Sequence, residues 1–118
     1  MSQMNQMPQS DKPEEESEKS KKERLDKIVS KLKTDLTLDD LQVFAVQGVI
    51  SENMKKQDIL FKNEKLSEDE KLLELQAQTE STDQKIIGFL NKDQKKKYIE
   101  MTADRKEKMN EMIERKIR

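Results

Sequence analysis

The chain has no cysteine, no histidine and no tryptophan, and only two glycines and two prolines among 118 residues. Without cysteine no disulfide can form, and without cysteine and histidine together the Ser-His-Asp, Cys-His and zinc-cage arrangements are excluded. Two glycines cannot build a phosphate-cradling or dinucleotide loop. Aromatic residues make up 3% of the chain, too few for most sandwiches or barrels. No apolar run has the length of a membrane span, and the N-terminus lacks a signal-peptide core. These absences predict a protein that is not an enzyme, needs no cofactor and does not insert into a membrane. The carboxylates are plentiful, but on solvated helices they are ordinarily surface charge and not an acid–base pair.

Charge is what the chain has in excess: 42% of residues are charged and 31% are hydrophobic. At this length that suits long helices sharing a thin seam and excludes a thick core. A net charge of −1 argues against general nucleic-acid binding. The charge is unevenly placed. Residues 1–35 balance 8 cations with 8 anions, residues 36–90 set 6 against 11, and residues 91–118 set 10 against 6. An acidic middle and a basic end can attract each other, within one chain or across an antiparallel pair; solvated helix faces account for the pattern equally well. The run Lys95, Lys96, Lys97 reads first as such a face.

Residues 1–16 read as a disordered or frayed tail and 17–118 as one helical domain. Met1, Met4 and Met7 recur at intervals of three, a spacing that allows thioether ligation of copper(I), although no histidine or cysteine assists. From about Pro13 to Asp35 a helix is expected, with Leu25, Ile28, Val29, Leu32 and Leu36 on one stripe. Three later helix starts are marked by capping pairs three residues apart: Thr37 with Asp40, Ser67 with Glu70, and Asn91 with Gln94. Leu36 and Leu90 precede the first and third as staples. The fold class is therefore all-α, four helices in elongated antiparallel hairpins.

The second helix, expected over 38–63, carries the most apolar stretch of the chain, from Leu36 to Ile50. Leu41, Phe44, Val46 and Ile50 surround its axis, which predicts cover on more than one side. Gly48 costs about 1 kcal/mol in an ordinary helix, a cost easier to accept where another backbone passes close. A strand over Val43–Ile50 is the competing reading, since β-branched residues are frequent there. The third helix places Leu72, Leu75, Thr79, Thr82, Ile86 and Leu90 on one side. The fourth, from Lys92, uses methionine as its filling residue, which suits either an adaptable surface or a loosely packed helix end.

The paired helix openings resemble the LTxxQ family of bacterial envelope-stress proteins, whose members include Spy and CpxP. One copy reads Leu36-Thr37-Leu38-Asp39-Asp40, with Asp40 at the glutamine position; the other reads Leu90-Asn91-Lys92-Asp93-Gln94, with Asn91 at the threonine position. The resemblance spans about residues 25–113. It implies an interlocked, curved antiparallel homodimer in the periplasm that holds unfolding clients on a concave, partly apolar surface without ATP. It implies a mature chain from which a signal peptide has been removed; if none was removed, the chain is cytoplasmic. On that reading Leu41, Phe44, Val46, Gly48 and Ile50 supply hairpin and dimer packing. Spacing adds Phe61, Tyr98, Met101 and Met109 as a client surface. The alternatives are a helical partner-binding or regulatory module, and a metal sensor using the N-terminal methionines.

Overall fold

The computed structural model describes residues 18–117; the N-terminal tail, the methionine triplet and the expected helix start at Pro13 lie outside the described residues. The described residues form four helices and no strand: α1 Glu18–Leu36, α2 Asp40–Phe61, α3 Glu68–Ile87 and α4 Lys92–Ile117. The segment Val43–Ile50 is helical throughout, so the strand alternative is set aside. Ion pairs and hydrogen bonds fix the directions of the neighbours. Lys21, near the start of α1, lies 2.7 Å from Asp58 near the end of α2. Gln76 donates to Asn110 at 2.6 Å between α3 and α4. Both pairs run antiparallel. The α2–α3 contact is the most extensive and the α1–α4 contact the smallest. The molecule measures 53 × 41 × 21 Å, a slab about two helix diameters thick.

The start of α2 differs from the expectation in register. The cap is Asp39, not Thr37: its carboxylate accepts from the Gln42 amide at 2.7 Å, and the Gln42 side chain accepts from the Asp39 amide at 3.0 Å. Asp40 is the first helical residue and takes no part in the box. Thr37 instead closes α1. Its φ of 55° is left-handed, and the Leu38 amide donates back to the Lys33 carbonyl at 3.1 Å, a Schellman-type ending. The left-handed region is sterically unfavourable for a β-branched residue, at a cost of about 1–2 kcal/mol. That strain is held because Leu36 and Leu38 on either side are both buried. Leu38, not Leu36, therefore holds the position before the cap, and Leu36 is the last residue of α1.

The other two boxes form at the expected residues. Ser67 and Glu70 exchange bonds of 3.1 and 2.8 Å at α3. Asn91 and Gln94 exchange bonds of 2.8 and 2.9 Å at α4, with Leu90 buried before them. Between Phe61 and Glu68 the chain turns tightly: Asn63 Oδ1 accepts from the Lys65 amide at 2.9 Å, and Lys71 Nζ reaches the Phe61 carbonyl at 3.0 Å.

The boxes of α2 and α4 meet. Gln42 Nε2 donates to Gln94 Oε1 at 2.8 Å, and Gln94 Nε2 lies 3.2 Å from Gln42 Oε1. Each amide also reaches the connection before the other's helix: Gln42 to the Phe89 carbonyl at 2.8 Å, Gln94 to the Leu36 and Thr37 carbonyls at 3.2 and 3.3 Å. The core gathers around this clasp from Val29, Leu36, Leu38, Val46, Ile50, Ile86, Leu90 and Tyr98. Because Gln94 is buried and both side chains serve one network, Gln42→Ala and Gln94→Ala should each lower stability by about 1–3 kcal/mol. The double variant should lose less than the sum by at least about 0.5 kcal/mol, checked by urea unfolding of all four proteins.

Candidate functional site

Away from the clasp α1 and α4 have little mutual contact, and a groove of about 610 Å³ lies among all four helices. Ile28 and Leu32 come from α1, Ile50, Met54 and Phe61 from α2, Ile86 from α3 and Met101 from α4; Thr79, Thr82 and Thr102 add hydroxyls. Arg24, Lys31, Lys62 and Arg105 also line it, against Asp58 and Asp83. The volume lies in the range of ligand and peptide pockets, and the mixture of apolar side chains with a few polar groups is typical of them.

One edge of the groove is held by a buried carboxylate. Asp83 is 1% exposed, yet both its oxygens are occupied: Oδ1 accepts from the Tyr98 hydroxyl at 2.6 Å and Oδ2 from Arg105 Nη2 at 2.8 Å. Lys106 Nζ lies 3.7 Å from Oδ2 and 3.2 Å from Glu80. A buried charge needs this full set of partners, since one left unpaired costs several kcal/mol. Burial, and then the hydrogen bond and charge of Asp83, hold the Tyr98 phenol far above its ordinary range. At the other end Asp58 is held below the usual carboxylate range, first by its hydrogen bond to Lys21.

The structure divides the expected surface residues. Phe61, Tyr98 and Met101 converge on the groove, but Tyr98 is 4% exposed and works as a core residue anchored on Asp83, not as an open contact. Met109 lies outside the groove, in a small depression beside Gln76 and Arg105. The expected packing residues divide as well. Val46 and Ile50 are buried in the chain's own core, whereas Leu41, Phe44 and Gly48 face outward. A Cβ at Gly48 meets nothing within 4 Å, so no other part of the chain passes close to it. Lys95, Lys96 and Lys97 are exposed.

Asp83, Arg105 and Gln42 were not singled out from sequence. Asp83 stands four residues after Thr79 and three before Ile86, on the core-facing side of α3, and a carboxylate at that register was the available signal. No group of three potential metal ligands occurs among the described residues, and none of their helices is long and apolar enough to cross a membrane. Comparison with family models, with curated proteins and with solved structures returns no match.

Tyr98→Phe should destabilise the fold by about 1–2 kcal/mol at neutral pH, by leaving Asp83 one donor short. The raised phenol adds a pH dependence. Above the ordinary pKa of 10.0 the unfolded chain releases this proton while the folded chain keeps it, so its contribution to stability falls as pH rises. Urea midpoints at pH 9 and pH 11 should therefore drop further for the unmodified chain than for Tyr98→Phe; equal drops would remove Tyr98 from the account.

Proposed function

We propose that the chain is an ATP-independent, chaperone-like or stress-adaptor protein that holds unfolding clients, acting as a homodimer. The observation that carries this reading is the groove, where apolar side chains including Ile28, Phe61 and Met101 stand among cations in a protein only 21 Å thick. Such a surface gives general, moderate attraction to exposed apolar segments, at about 25 cal/mol per Å² of apolar area covered. It requires no nucleotide.

The register of the caps also supports the resemblance to the LTxxQ family. Aligned on the boxes that form, the copies read Leu38-Asp39-Asp40-Leu41-Gln42 and Leu90-Asn91-Lys92-Asp93-Gln94, each with leucine before the cap and glutamine at its third helical position. The mature periplasmic location belongs to the same proposal. A second reading, docking of a single regulatory partner, is favoured by the defined volume of the groove, which suits one specific occupant.

In an aggregation assay with a chemically or thermally unfolding client, near-stoichiometric chain should suppress light scattering without ATP. Ile28→Glu places a charge on the groove wall at a partly exposed position. It should weaken suppression several-fold with helicity unchanged. No suppression at excess chain would contradict the holding reading, and recovery of one stoichiometric partner would then favour the regulatory one.

A further inference from the structure

The three most exposed large apolar side chains of the described residues all belong to α2: Leu41 at 78%, Phe44 at 77% and Ile59 at 71%. They share one face. Leu41 and Ile59 are 18 residues apart, about five full turns, and Phe44, Gly48, Glu52 and Lys55 fall between them within an arc of about 80°. All six are exposed. This face is separate from the groove, whose α2 residues lie on other sides of the helix.

We infer that this stripe is the interface with a second copy of the chain, the two α2 helices lying antiparallel across a two-fold axis near Ile50. The inference rests on the homodimeric reading proposed above and assigns its contact. The stripe is complementary to its own reverse. With the helices fully overlapped, Leu41 meets the partner's Ile59, Phe44 meets the partner's Lys55, and Gly48 meets the partner's Glu52. These are an apolar pair, a cation over an aromatic face, and a longer side chain in the space a missing Cβ leaves. Asp40, at the acidic start of α2, comes near the partner's Lys62 on the same flank of the pair, whereas a parallel pair would set the two Asp40 carboxylates together. A second copy thus covers the apolar face and uses the open space at Gly48. It leaves both grooves unobstructed by the shared helix.

The natural absence of cysteine makes the register testable. Leu41→Cys with Ile59→Cys in one chain should oxidise to a disulfide-linked dimer of twice 13.9 kDa. Either substitution alone should not link, because in this register its two copies stand about 27 Å apart. Phe44→Glu should raise the dimer dissociation constant at least about tenfold by light scattering, with unchanged circular dichroism. A mass of 13.9 kDa at every concentration for the unmodified chain, or linking by the single variants as efficient as by the double, overturns the interface. Client protection measured on the same samples separates the two claims. A monomer that still protects removes only the interface, and a linked dimer that does not protect upholds the interface while removing the holding function.

Discussion

The two glutamine amides joining the starts of α2 and α4 are the constraint from which the rest of the arrangement follows. A capping box ordinarily satisfies its own helix, leaving the glutamine side chain's second donor or acceptor to water. Here the spare groups of Gln42 and Gln94 are spent on each other and on the carbonyls of the opposite connection. Both connections are thereby held at one point, with Leu36, Leu38 and Leu90 buried around it. The left-handed Thr37 is the local strain this convergence requires.

Away from the clasp α1 stays tied to α2 by Lys21 and Asp58, and α3 to α4 by Gln76 and Asn110, so only α1 and α4 part. The small α1–α4 contact and the groove beyond it are two aspects of one geometry. Asp83 sets the limit of the opening, since Tyr98 and Arg105 of α4 are both bound to this α3 carboxylate. A leucine at that position would pack as well against Ile86 but would not specify where α4 lies; the carboxylate fixes α4 through two short bonds. On α2 the opposite logic applies. Its inward side carries Val46 and Ile50, and its outward side keeps Leu41, Phe44 and Ile59 in solvent within the single chain.

Much of this is legible in the sequence. The caps at Ser67 and Asn91 and the stripe on α1 place three helices, because capping and 3.6-residue periodicity are local physics. Sequence alone sets the cap of α2 two residues early, because Thr37–Asp40 and Asp39–Gln42 are both competent pairs at the same spacing. What decided between them was burial of Leu38 and the long-range bond to Gln94, neither of which is local. The same limit explains Tyr98, which spacing places on a client surface until its partner Asp83, fifteen residues earlier, is known. Nor does an all-round apolar helix say which of its faces its own chain will cover. Phe44 and Val46 are equally apolar in sequence, and only the path of α1 and α3 distinguishes them.

Native-state hydrogen exchange tests most directly whether the clasp holds the fold. The slowest-exchanging amides should lie in the first turns of α2 and α4 that follow the boxes, around Val46 and Tyr98, with exchange quickening toward the start of α1 and the end of α4. Slowest exchange at the Phe61–Glu68 turn, or uniform protection along all four helices, would contradict a structure organised around Gln42 and Gln94.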